Sequence, residues 1–156
     1  MKKLWGFLAL FVGAFLFKFA PVLMGAAVGS AAGQSYRSSN KEAEIDKQLV
    51  ATMNEINKNT PMMLDKITRL DTTIGLHHQF TYVYTTVGYK GADIPRDAFV
   101  AQLRPYLVNG LCTGDAMKVF RDNNIPVNYS YKGEDGVAIA VITITNSDCK
   151  RVTGAL

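Results

Sequence analysis

The sequence is poor in the residues that carry chemistry. It has two cysteines and two histidines among 156 residues. The histidines, His77 and His78, are adjacent, and neighbours on a strand point to opposite faces, so they do not converge on one metal ion. They read instead as turn residues. No Gly-x-Ser-x-Gly elbow, His-Glu-x-x-His pair, phosphate-cradling glycine loop or Cys-x-x-Cys occurs, which removes the commonest hydrolase, metalloprotease, nucleotide-binding and dithiol signatures. No cysteine precedes Cys112, so the sequence offers no thiol for an N-terminal lipid anchor. The expectation is therefore a chain with no catalytic residues, no metal and no cofactor.

Positive charge is also scarce where a nucleic acid would need it. Of the 17 basic residues, Lys2, Lys3 and Lys18 lie in the N-terminal stretch, which leaves 14 against 13 acidic residues in the rest. A balanced domain has no basic stripe and is not expected to bind nucleic acid.

Long apolar runs are confined to the N-terminus, residues 1–33. After two lysines, Leu4 to Phe17 is fourteen apolar or small residues, and Phe19 to Gly33 continues in the same vein beyond Lys18. A membrane helix needs about 20 such residues, which Leu4 to Met24 supplies, with Lys18 near enough to the far end to snorkel. The segment reads as an uncleaved signal anchor with the lysines cytoplasmic and the rest extracytoplasmic. The alternative is a cleaved signal peptide, with Ala31 and Gly33, or Ser30 and Ala32, at the small-residue spacing of a cleavage site. Gly25, Gly29 and Gly33 recur at every fourth position and could let two such helices approach closely. Crowding of small residues near a cleavage site explains the same spacing.

About 120 residues remain, enough for one domain with a modest core. Cys112 and Cys149 both fall in it, and two cysteines in an exported domain most often pair. The competing use is a thiolate nucleophile beside His77 or His78.

The domain begins after a polar tether, residues 34–39. Ile45, Leu49, Met53 and Ile56 recur at helical spacing over about residues 40–58, and Asn59 and Pro61 end the run. Thr68, Leu70, Thr72 and Ile74 then alternate as one face of a strand, and Gln79 to Val87 alternates as a second. The two make a hairpin. Pro95 suits a helix start. Phe99, Leu103, Tyr106, Leu107 and Leu111 line the side of that helix, and Pro105 predicts a kink or break. A short helix carrying Met117 and Phe120 follows, with Thr113 as a candidate cap. A second hairpin closes the domain: Val127 to Tyr131, a turn at Lys132 to Gly136, and Val137 to Thr145, apolar on both faces and so expected in the sheet centre. The expected fold is α+β, a four-stranded antiparallel sheet with helices packed on one face in the order α-ββ-αα-ββ.

Asn57, Pro61-Met62-Met63, Asp65 and Thr68-Arg69-Leu70-Asp71 resemble a pattern in small, largely uncharacterised bacterial envelope proteins. These likewise have an N-terminal apolar segment and a cysteine before a late hairpin ending as Ser147-Asp148-Cys149 does. The resemblance covers most of residues 40–149; it implies location and fold and carries over no catalytic residue. Met62, Met63, Asp65, Arg69 and Asp71 form a candidate binding segment, since paired methionines make adaptable apolar surface. The competing account is core packing with an ion pair at Arg69.

The functional expectation is a non-enzymatic, single-pass inner-membrane accessory protein whose domain binds another protein or a wall component. Tyr82, Tyr84, Tyr129 and Tyr131 could supply an adhesive face if helices do not cover them. The alternative is a secreted inhibitor or immunity-type protein that uses Gly88 to Asp93 or Lys132 to Gly136 as its blocking loop. A thiol-dependent enzyme ranks third.

Overall fold

The structure is a computed structural model and describes the backbone of residues 34–153 and the side chains of residues 41–150. The apolar stretch, its Lys18 and the Gly25, Gly29, Gly33 stripe lie outside the described residues. Among the described residues no helix is long and apolar enough to cross a membrane.

The elements follow in the order α1 (Gln34–Asn57), β1 (Met62–Met63), β2 (Thr68–Leu76), β3 (Gln79–Thr86), α2 (Arg96–Thr113), α3 (Lys118–Asp122), β4 (Val127–Gly133), β5 (Ala138–Ile144) and α4 (Asn146–Thr153). Helix α1 matches the expected periodicity but starts at Gln34, so the stretch read as a tether is helical. Pro105 does not break α2. It lies on the exposed side, where water can serve the carbonyl that loses its amide partner. Thr113 ends α2 instead of starting α3; its hydroxyl donates to the Asn109 carbonyl at 2.8 Å.

The sheet has five strands in sequence order, and it is mixed. Pairs β1–β2, β2–β3 and β4–β5 are antiparallel, while β3 and β4 run parallel, with Phe80 opposite Val127 and Thr86 opposite Gly133. The expected all-antiparallel, four-stranded sheet is corrected in two ways. The connection from β3 through α2 and α3 carries the chain back to the end where β3 began, so β4 enters alongside β3 in the same direction. Met62–Met63 adds a two-residue edge strand that is too short to show alternation. Because β4 takes the place beside β3, its hairpin partner β5 is pushed to the edge rather than the centre.

All of the larger helices pack on one face, as expected. Phe120 of α3 meets Phe80 with ring centroids 5.3 Å apart, and Phe99 of α2 meets Tyr131 at 5.1 Å. Helix α1 lies so close to β2 that a Cβ on Gly75 would come within 2.6 Å of the Leu49 carbonyl oxygen, a contact only glycine allows. Tyr82, Tyr84, Tyr129 and Tyr131 stack under these helices at 5%, 5%, 2% and 4% exposure. They are core, and they form no adhesive surface. Burial pushes all four phenols well above their ordinary range.

Cys112 at the end of α2 and Cys149 in α4 form a disulfide, and no described cysteine is free. The thiolate nucleophile of the third expectation therefore has no side chain to supply it.

Candidate protein-binding face

Each central strand of the sheet presents alternate residues to the side away from the helices. On β4, Val127, Tyr129 and Tyr131 are buried while Asn128, Ser130 and Lys132 are partly exposed. On β2 the alternation changes phase. Thr68 and Leu70 face the helices, then a bulge at Asp71 shifts the register, and Thr73 and Gly75 face them in turn. Thr72 and Ile74, read from sequence as sharing the face of Leu70, therefore point the other way. A bulge adds one residue and flips everything after it.

The second face is thus assembled in three rows across the strands, set by the pairing register. Among the described residues, no helix covers it. The middle row runs Thr72, Val83, Ser130, Val141, with Val141 59% exposed. Ile74, 45% exposed, adjoins it. On one side lies a row of hydrogen-bonded polar groups. Thr143 donates to Asn128 Oδ1 at 2.7 Å, and Asn128 Nδ2 donates to Gln79 Oε1 at 3.0 Å and Thr81 Oγ1 at 3.3 Å.

On the other side the charges gather around Asp71. Its carboxylate accepts from Arg69 Nε at 2.7 Å and from the Thr85 hydroxyl at 2.6 Å, and it pairs with Lys132 Nζ at 3.1 Å. Burial alone would raise the Asp71 carboxyl, but the bonds from Thr85, Arg69 and Lys132 and the charge of Arg69 outweigh it, holding Asp71 below the ordinary carboxylate range. Both cations remain about 40% exposed, so one anion serves two. An uncharged row in which Val83 and Val141 alternate with Thr72 and Ser130, walled by a cationic row and an amide row, can hold an uncharged surface while orienting it through its polar borders.

The segment singled out from sequence divides in two here. Arg69 and Asp71 belong to this face. Met62 and Met63 pair with Leu70 and Arg69 to make the edge, and only Met63, 49% exposed, borders the face. Asp65 closes a turn, accepting from the backbone amides of Ile67 and Thr68, both at 2.8 Å. The two candidate blocking loops are tied to each other. The Gly88 amide donates to Glu134, the Glu134 amide to the Tyr89 carbonyl, and the Gly91 amide to Asp135.

Sequence reading missed Val83, Val141, Thr81 and Asn128. The polar members of β4 were a usable signal. Val141 was not, because an apolar residue on an uncovered edge strand looks the same in sequence as one in a core.

A shallow groove with room for little more than a water molecule also lies between α1 and α3, floored by Ile45, Leu49, Val119, Phe120 and Ile125. The described residues hold no group of three or more His, Cys, Asp or Glu side chains arranged for a metal.

No family model and no curated protein matches the sequence. Solved structures do match in shape. A candidate secreted protein from Pseudomonas aeruginosa is similar over 76% of this chain and 99% of its own, with a TM-score of 0.61 and 14% identity. EpsS, the pilotin of the Vibrio vulnificus type 2 secretion system, covers 71% of this chain and 96% of its own, at a TM-score of 0.58 and 9% identity. AspS, a type II secretion system pilotin from Vibrio cholerae, covers 72% and 98%, at 0.57 and 11%. The chain therefore shares the fold of these three proteins over nearly their whole length.

Proposed function

We propose that this protein is a non-enzymatic accessory protein of the bacterial envelope that binds a partner protein through the uncovered face of its sheet. The observation that carries the reading is that face, a middle row of Thr72, Val83, Ser130 and Val141 between two polar rows, with exposed Ile74 at the end of one of them. The shared fold with two secretion-system pilotins supports a role in serving another protein of the envelope. The disulfide supports an oxidising compartment. The N-terminal apolar run supports anchoring in the inner membrane, with the domain on the extracytoplasmic side.

The test is capture from a native envelope extract with the wild-type chain and with V141D/I74D as baits. Both sites are more than 40% exposed, so the fold should survive the charges, with the melting temperature lowered by several degrees because aspartate suits a strand less well than valine or isoleucine. A partner retained by the wild type and lost by the variant is the expected result. A partner held equally by both would move the binding site elsewhere. Cosedimentation of the wild type alone with purified cell-wall sacculi would favour a wall component over a protein.

A further inference from the structure

Helix α1 is longer than its packing requires. Burial begins at Ile45 and continues at Leu49 and Ile56, whereas residues 41–44 are all exposed. Two contacts fix where the helix lies along the sheet. Asn57 bonds Thr73, and eleven residues earlier Asp46 Oδ1 accepts the backbone amide of His78 at 2.8 Å. Eleven helical residues span about 16 Å; on the sheet the same interval covers Thr73 to Leu76, about 10 Å of strand, and then the His77–His78 turn. The axis of α1 therefore runs alongside β2 and opposite to its direction, from Thr73 to the turn.

It follows that the twelve residues from Gln34 to Ile45 carry on along that axis past the His77–His78 turn, for about 18 Å. Their sequence, QSYRSSNKEAEI, has no apolar stripe before Ile45, as suits a helix solvated on every side. The apolar stretch ends at Gly33, and the chain is already helical at the next residue, the first one described.

We infer that the first three turns of α1 are a rigid spacer that fixes how the domain stands over the bilayer, an inference that rests on the anchored reading above. The end carrying the His77–His78 turn faces the membrane at a stand-off of about 18 Å. The opposite end, where the loops at 88–93 and 132–136 are laced together, points away by a further ~23 Å, the length of β3. The row carrying Val83 and Val141 lies between these two ends and is open to a partner that stands beside the domain.

The full chain is reconstituted in phospholipid vesicles containing a headgroup-linked acceptor dye. A fluorescent amino acid is placed at Lys47, level with the membrane-facing end, or at Lys90, at the far end; both are exposed. Energy transfer should be several-fold stronger from position 47. In S39P, which interrupts the spacer six residues before Ile45, the first buried position of α1 among the described side chains, the ratio should fall towards one. Equal transfer from both positions in wild-type chain that floats with the vesicles overturns the spacer alone. Wild-type chain that does not float overturns the anchoring and the spacer with it. An unchanged ratio in S39P would show that the helix does not set the orientation, and would also overturn the inference.

Discussion

Replacing Asn57 with alanine should be one of the more damaging single changes in the domain, although Asn57 is only half-buried and sits at a helix end. Strand β1 is two residues long and pairs only with Leu70 and Arg69, so from Thr72 onward β2 has no neighbour on its outer side. Thr73 is 1% exposed, and its outward amide and carbonyl would be orphaned there. Asn57 stands in for the missing strand. Its Oδ1 accepts the Thr73 amide at 2.7 Å and the Thr73 hydroxyl at 3.0 Å, and its Nδ2 donates to the Thr73 carbonyl at 2.9 Å. Met53 Sδ does the same for the Gly75 amide at 3.4 Å. Each orphaned buried group costs roughly 1–3 kcal/mol, so Asn57→Ala should cost about 3 kcal/mol. A domain of this size is stable by about 6–18 kcal/mol in total. With a urea m-value near 1.4 kcal/mol/M, the midpoint should fall by about 2 M at unchanged m. Thr73→Val removes only the hydroxyl and should cost about 1 kcal/mol. A fall below about 0.5 M for Asn57→Ala would mean that water replaces the amide freely, and the strand-mimic argument would be wrong.

Three further outcomes follow from the same geometry. Replacing Cys112 and Cys149 with serine opens a link between residues 37 positions apart; the loss should be about 4 kcal/mol by the chain-entropy model, read as a lower urea midpoint than that of the oxidised wild type. The four core tyrosines have raised pKa values in the fold, so their contribution is complete below pH about 10 and is lost as pH climbs above it. Tyrosinate absorbance should then appear together with loss of circular dichroism, and a separate, earlier titration of these phenols would contradict their burial. Asp148 is pulled upward by burial, but the Thr145 amide and Arg104 at 2.8 Å more than reverse this and leave it lowered. Its stabilisation is therefore present above pH about 4 and lost as the pH falls further, and Asp148→Asn should flatten the acid limb of stability against pH.

Much of the architecture was legible in the sequence because it rests on periodicity. The Ile45, Leu49, Ile56 spacing placed α1 against the sheet, and the alternation in Gln79 to Thr86 placed β3. The cysteine pair could be read from compartment and count. What could not be read depends on relations between distant segments. Whether β4 joins β3 in parallel is decided by where two helices return the chain, and no residue in β4 records it. The bulge at Asp71 left no local mark either, since Thr72 and Ile74 continue the alternation that it breaks. The turn at His77 and His78 was legible from its place between two alternating runs, but not its two-residue form with left-handed backbone at both positions, φ of 53° and 57°, which asparagine and glycine would have announced. The candidate face inherits all of these gaps: its rows exist only once the register is known.

The parallel seam between β3 and β4 has a consequence for assembly. Phe80 and Val127 are neighbours across it, yet 47 positions separate them, whereas each hairpin on either side closes over a short turn. The two hairpins can zip locally and early, but neither completes the core, because Phe80, Tyr82 and Tyr84 come from one and Val127, Tyr129 and Tyr131 from the other. Joining them requires a long loop to close before its contacts repay the entropy. The slow step should therefore be the meeting of two preformed halves. A chain emerging N-terminus first would hold its aromatic half-core open until β4 and β5, residues 127–144, arrived, a window in which a chaperone has something to hold.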